Sequence, residues 1–229
     1  MSVRVGVAIP AAGSGRRMGG VRKPFLELRG EPVLIHALRP FLARTDVVAV
    51  AVALAAADAE DPPGWLLALD DRIRVVAGGA TRSESVRAAV AALPEDCDLL
   101  AVHDAARPLV SGAAVDRCFA VAATGMGAVA GCPAVDTLKE VDEGDRVTAT
   151  ADRSRFWQAH TPQVFPADLL RRAHRGGGEA TDDAALVERL GETVRMVDGG
   201  RWNLKVTRPE DLPVAEALLD ARAAEATTP

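Results

Sequence analysis

Residues 47–54 read VVAVAVAL, an apolar run with no polar break. A strand of this kind has no face to give to water and must be covered on both sides. Two-sided cover is typical of parallel sheets, whose crossover connections lay helices on each face. The flanking sequence supplies the rest of that pattern. Val3, Val5, Val7 and Ile9 alternate along a strand that ends at Pro10. Pro32 opens an apolar-periodic helix through Leu42, with Pro in its first turn. IRVVAG (73–78), DLLAV (98–102) and GAVAGCPAV (127–135) read as further strands. Between them, helices are predicted at 58–70, after the Pro62-Pro63 break, from a Thr81/Glu84 capping box to Leu93, and at 111–124. The alternation predicts an α/β fold with a mainly parallel sheet flanked by helices, and 229 residues suit a single domain, 1–229.

The period breaks after residue 135. DTLKEVD (136–142), EGDRVTATA (143–151) and RSRFWQAH (153–160) look like hairpin material, with a turn at Glu143-Gly144-Asp145. The stretch 136–160 therefore reads as a protruding β-arm or an antiparallel edge. Helices are expected near 166–174 and 182–190, and short strands at 193–197 and 202–206. A last helix is best started at Asp211, which puts Pro213 in its first turn.

Composition excludes several classes of function. A net charge of −5 argues against a broad nucleic-acid surface. Aromatics are only 3% and Tyr is absent, which removes base-stacking platforms and short-chain dehydrogenase chemistry. No apolar run reaches the roughly 18 residues of a membrane span, and no signal core opens the chain, so a cytoplasmic location without a membrane partner is expected. Cys97, Cys118 and Cys132 are few and scattered, as reduced core thiols are.

Chemistry concentrates in PAAGSGRRMGGVRKPF (10–25), directly after the first strand. Ligands of open α/β sheets bind beyond the carboxyl ends of strands. Gly13 and Gly15 let backbone amides approach an anion, and Arg16, Arg17, Arg22 and Lys23 add fixed positive charge, a combination suited to a triphosphate. Lys23 is followed by Pro24, so this is not a P-loop, and Met18 replaces the third small residue of a dinucleotide fingerprint. Pro24 predicts an extended Lys23. Asp104, at the end of the fourth strand, is a candidate for a Mg²⁺ contact or for a ribose or substrate hydroxyl. Gly78-Gly79 and Thr81 to Ser85 enter a helix whose first N–H groups lack helical partners. Lys205, on an expected strand, suits a functional cleft because burying it unpaired is costly.

P-A-A-G-x-G-x-R-M followed by Lys resembles the signature of nucleotidyltransferases with a Rossmann-like fold. VHDAARP (102–108), DTLK (136–139), Asp152-Arg153, TPQ (161–163), TDDA (181–184) and NLKVTRPEDL (203–212) follow in the order found in the 2-C-methyl-D-erythritol 4-phosphate cytidylyltransferase family. The resemblance runs from Pro10 to Leu212. It implies attack by a substrate phosphate on the α-phosphorus of CTP, expelling pyrophosphate with Mg²⁺ as cofactor. Catalysis would fall to Arg17, Lys23, Arg153 and Lys205. The nucleotide would meet Ala11, Ala12, Gly13, Gly15, Gly79, Ser85 and Asp104. The polyol phosphate would meet Asp104, Arg107, Thr137, Arg153, Thr181 and Lys205, and Asp104 would touch the metal. The resemblance also implies a homodimer in which the arm of one subunit crosses to the other and brings Arg153 to its neighbour's site. Because the nucleophile is already ionised, none of the four His is needed as a base. The alternatives are a ribitol 5-phosphate cytidylyltransferase or a related nucleotidyltransferase, and a non-catalytic CTP-binding module.

Overall fold

Val47 to Leu54 sit in the body of a seven-stranded sheet, and their alternation is divided between its two faces. The computed structural model describes residues 3–13 and 23–227. In chain order, β1 (Val5–Pro10) is followed by a 3-10 turn at Lys23–Phe25, then a small hairpin of β2 (Glu27–Leu28) and β3 (Glu31–Pro32). Then come α1 (Val33–Leu42), β4 (Val47–Leu54), α2 (Ala56–Glu60), α3 (Gly64–Leu67), β5 (Ile73–Ala77) and α4 (Arg82–Ala91). The second half holds β6 (Leu99–Val102), α5 (Gly112–Ala122), β7 (Gly127–Pro133), the hairpin strands β8 (Lys139–Val141) and β9 (Val147–Thr150), and β10 (Trp157–Pro166). It closes with α6 (Ala167–Arg175), α7 (Asp183–Glu188), β11 (Val194–Asp198) and α8 (Asp211–Thr227).

The large sheet has the order β11-β7-β10-β6-β1-β4-β5. Every neighbouring pair is parallel except those made by β10, which runs antiparallel to both β6 and β7. Val50, Val52 and Leu54 of β4 pack with Val5, Val7 and Ile9 of β1 beneath α1 and α5. Ala49, Ala51 and Ala53 face the other way, where their small side chains let Val86, Ala89 and Val90 of α4 come close. A third cluster, Leu28, Val33, Leu109, Val206 and Ala215, seats α8 against the small hairpin. The chain leaves β1 toward β4 and β5, then returns to lay β6 on the opposite side of β1. That reversal is the switch point at which open α/β sheets hold ligands.

Three expectations need correction. The helix expected over 58–70 is two short helices, because Pro62-Pro63 falls between them rather than before them. Of the stretch 136–160, only 139–150 forms the free hairpin, while 157–160 begin β10 and 157–159 pair with β7. Residues 202–206 join no ladder, so Lys205 does not lie on a strand. α8 does begin at Asp211, whose carboxylate accepts from the Thr207 N–H and hydroxyl and from the Arg208 N–H. Among the described residues no helix is long and apolar enough to cross a membrane, and the three cysteines are free and buried.

Candidate active site

β6 ends at Val102, and its ladder to β1 is carried one step further by the His103 N–H on the Ala8 carbonyl at 3.0 Å. Asp104 follows, 7% exposed, at the switch point. Its Oδ1 accepts from Arg82 Nε at 3.0 Å and its Oδ2 from Lys205 Nζ at 2.7 Å. Arg107 Nε stands 3.8 Å from the same Oδ2. Burial alone would raise the Asp104 carboxyl, but Arg82 and Lys205, with Arg107 behind them, outweigh it and hold the group well below the usual carboxylate range. Burial also pulls the Arg107 guanidinium down, against the opposing pull of Asp104.

A chain of hydrogen bonds fixes this loop. The Asp104 N–H donates to Thr161 Oγ1 at 3.0 Å. Thr161 Oγ1 lies 3.0 Å from His103 Nδ1, and His103 Nε2 lies 3.1 Å from the Arg107 carbonyl. A carbonyl can only accept, so Nε2 carries the ring proton and Nδ1 takes the threonine proton. His103 is thus neutral with both nitrogens engaged, and burial pushes its pKa down to about 4. Arg107 Nη1 donates to the Asn203 carbonyl and Asn203 Nδ2 to the Thr161 carbonyl, both at 2.7 Å. The Val206 N–H reaches the Ala106 carbonyl at 2.7 Å. These bonds hold the segment that carries Lys205 without a ladder.

Beside the cluster lies a cavity of about 290 Å³, lined among others by Arg107, Cys132, Gln158, His160, Arg201 and Lys205. Burial and the neighbouring Arg107 push His160 down to about 4. The cavity's charge is therefore cationic at neutral pH, as an anionic ligand requires.

The nucleotide-side loops meet across the same edge. The Ala11 N–H bonds the Ala53 carbonyl, and Gly13 is exposed, with no described residue within 4 Å of where a Cβ would stand. A Cβ on Gly78 would sit 2.5 Å from that of Ala12, so glycine is what lets the β1 and β5 loops touch. Four N–H groups at the entry to α4 are met within the loop itself. Glu84 Oε2 accepts from the N–H groups of Ala80 and Thr81, Thr81 Oγ1 accepts from Glu84 N–H, and Ser85 Oγ accepts from Gly79 N–H. The capping box has used these donors.

Asp104 does not suit a metal here. Both of its oxygens are committed to cations, and no group of three His, Cys, Asp or Glu is gathered among the described residues.

A model of the 2-C-methyl-D-erythritol 4-phosphate cytidylyltransferase family matches residues 5–221. The chain belongs to that family. Proteins of that name from Symbiobacterium thermophilum and Solibacter usitatus are 45% and 40% identical to it. The alignments cover 97% of this chain and 96% of the first relative, and 98% and 99% for the second. The solved 4-diphosphocytidyl-2C-methyl-D-erythritol synthase from Anaerococcus prevotii superposes with a TM-score of 0.84 at 27% identity, covering 96% of this chain and all of that one. The 2-C-methyl-D-erythritol 4-phosphate cytidylyltransferase from Thermus thermophilus gives 0.79 at 38% identity with the same coverage.

Of the residues expected in a cytidylyltransferase site, Asp104, Arg107 and Lys205 come together in one cluster. Gly79 and Ser85 brace each other on the next loop. Thr137 and Arg153 lie exposed at the base of the hairpin, where Arg153 Nη1 donates to the carbonyl of Val135, itself a wall of the cavity. Asp152 is turned to Ser154. Thr181 is exposed just before α7. Gly15 and Arg17, with Arg16 and Arg22, lie outside the described residues, as does the side chain of Lys23. The backbone of Lys23 opens a 3-10 turn instead of the expected extended conformation, because Pro24 lacks only an N–H that a first turn leaves unused. Arg82 and Asp183 escaped the sequence reading. One signal was available: Arg82 occupies the first position of α4, where a helix dipole favours acids, so it needed carboxylates nearby.

Proposed function

We propose that this chain transfers the cytidylyl group of CTP to 2-C-methyl-D-erythritol 4-phosphate and releases pyrophosphate, in isoprenoid precursor synthesis. The observation that carries this reading is the cationic cluster about Asp104, set at the switch point and opening on a cavity walled by Arg107, Arg201 and Lys205. The reaction joins two anions, so positioning and charge stabilisation do most of the work. An ionised phosphate needs no general base, in keeping with a neutral His103 whose nitrogens are both bonded.

Lys205, steered by Asp104, and Arg107 receive the polyol phosphate in this proposal, and Thr181 lines its approach. Ala11, Ala12, Gly13, Gly15, Gly79 and Ser85 hold the nucleotide. Arg17 and Lys23 neutralise the charge that grows on the departing pyrophosphate. Mg²⁺ enters as the counter-ion that CTP carries on its own phosphate oxygens, with Asp104 left to its cations. The same reading has the protein act in the cytoplasm as a homodimer whose hairpins cross, bringing Thr137 and Arg153 to the partner's cavity. Exposure of Val141, Val147, Phe156 and Trp157 around the hairpin supports it.

Pyrophosphate release from CTP, measured with 2-C-methyl-D-erythritol 4-phosphate and with ribitol 5-phosphate, tests the substrate. The expected result is turnover with the former only. Faster turnover with ribitol 5-phosphate would move the chain to the alternative enzyme. CTP binding with no turnover on either would make it a binding module.

A further inference from the structure

The Asp104 cluster continues into the protein. Arg82 gives its Nε to Asp104 and turns its Nη1 to Asp183 Oδ2 at 2.9 Å. Asp183, 1% exposed, meets His174 Nε2 with its other oxygen at 3.1 Å, and His174 is 3% exposed. The backbone under Asp183 is clamped: the N–H groups of Asp183 and Ala184 donate to Gln163 Oε1 on β10 at 3.0 and 2.9 Å. Gln163 Nε2 in turn donates to Asp182 Oδ2 at 2.9 Å. The result is a row of His174, Asp183, Arg82, Asp104 and Lys205, built from α6, α7, α4, the β6 loop and the segment before α8.

Such a row is an expensive way to gain stability, since apolar side chains of the same volume commonly serve as well. An arginine at the first position of a helix also opposes the helix dipole. What the row does supply is geometry. A guanidinium offers N–H groups on more than one side, and one carboxylate takes only one side of it, so a single arginine can stand between two acids. Asp183 pairs with Nη1 of Arg82 while Nε is given to Oδ1 of Asp104, and Oδ2 is taken by Lys205.

We propose that Asp183 is a positioning residue for the transfer reaction: by holding one side of Arg82 it keeps Asp104 Oδ2 available to orient Lys205 toward the cavity. Without it, Arg82 is no longer held on Oδ1, and Asp104 no longer fixes Lys205. The inference rests on Asp104 and Lys205 serving the transfer, so the test carries a control for that reading.

Steady-state kinetics with both substrates would be measured for D183N, R82K, the double variant and D104N, at a temperature where all match the wild type by circular dichroism. D183N should lower kcat by about 10- to 100-fold, with the CTP KM moving less than about threefold. R82K keeps the charge but cannot bridge two carboxylates, and should lose as much. The double variant should be no worse than either single one, because both break the same link. A wild-type kcat in D183N beside an inactive D104N overturns the proposal, as do losses that multiply in the double variant. Should D183N not fold, R82K decides alone: full turnover in R82K overturns the proposal, and the expected loss with unchanged CTP KM supports it. Full activity in D104N would instead remove the site reading, and this inference with it.

Discussion

Asp104 has more cationic neighbours than one carboxylate can neutralise. Arg82, Lys205 and Arg107 surround it, and among the described residues only Arg82 has a second acid, Asp183. The surplus positive charge faces the cavity, and that is where a phosphate gains most. Lys205→Ala should therefore lower kcat/KM for the polyol phosphate by about 10- to 150-fold, the worth of one charge-assisted contact at roughly 1.5–3 kcal/mol. CTP affinity, read by calorimetry, should hardly move, since Arg82 still keeps Asp104 ionised. Equal losses for both substrates would place Lys205 on the nucleotide. His103 gives a pH prediction. Its folded pKa, about 4, lies below the ordinary value of 6.5, so between these values the unfolded chain binds a proton that the folded chain refuses. Stability should be intact above pH 6.5 and fall as the pH drops toward 4, with about 3 kcal/mol of the loss coming from His103 and a further part from His160, which titrates in the same window. Asp104, whose pKa is lowered, loses its contribution only below about pH 4, a separate window. Urea melts at pH 7 and pH 4.5 should differ for the wild type and differ clearly less for His103→Asn. Asp104, Arg107 and Lys205 were legible because each sits in a run of characteristic residues. Arg82 and Asp183 were not, because a contact across 22 positions, such as Arg82 to Asp104, leaves no mark on local spacing.

At the level of elements, the parallel half of the fold follows from patterning that sequence displays directly. VVAVAVAL resolves into a valine face and an alanine face, each with its own helices. β10 was harder to read, for a physical reason. Its first residues, Trp157 to Ala159, are exposed where they extend beyond the core, while Thr161 to Phe165 are buried between β6 and β7. A strand that is half outside the core carries an edge-like pattern in its first half, and so 153–160 looked like arm. The segment 203–206 was misread in the opposite direction. Side-chain bonds through Asn203 hold it in place of a ladder, and a local pattern does not separate the two. The contact between the β1 and β5 loops gives a further prediction. In Gly78→Ala the new Cβ would meet Ala12 at 2.5 Å, Ser85 Oγ at 2.9 Å and the Leu54 carbonyl at 3.2 Å. Two of these neighbours are main chain or rigidly attached to it, so the loops must part. Overpacking of this kind costs about 1–3 kcal/mol. Thermal melts should show that loss, and the KM for CTP should rise while the KM for the polyol phosphate stays put. An unchanged CTP KM would mean that these two loops do not share the nucleotide.

For the whole molecule, the free hairpin is the feature that one chain leaves unexplained. β8 and β9 are exposed along their full length, and a lone two-stranded hairpin is marginal in water. Val135, Val141, Val147, Phe156 and Trp157 add exposed apolar surface in and around it. A second copy is the partner that a symmetric oligomer supplies, and its hairpin would be covered in the same contact. Light scattering should then report a dimer at micromolar concentration. Complementation of variants tests whether the arm delivers chemistry as well as area. Arg153→Ala and Lys23→Ala should each be nearly inactive as pure dimers. In a mixed dimer with crossed arms, the subunit that keeps Lys23 receives an intact Arg153 from its neighbour, so one site of the two works. Random mixing makes half of the dimers mixed, and activity should recover to about a quarter of wild type. If Arg153 acts in its own subunit, both sites of a mixed dimer stay broken and nothing recovers. Arg153→Lys should restore only part of the lost activity, because a point charge does not reproduce the planar fork on a phosphate. Recovery in the mixture together with partial rescue by lysine would assign Arg153 to the partner's substrate phosphate, a contact one subunit alone cannot complete.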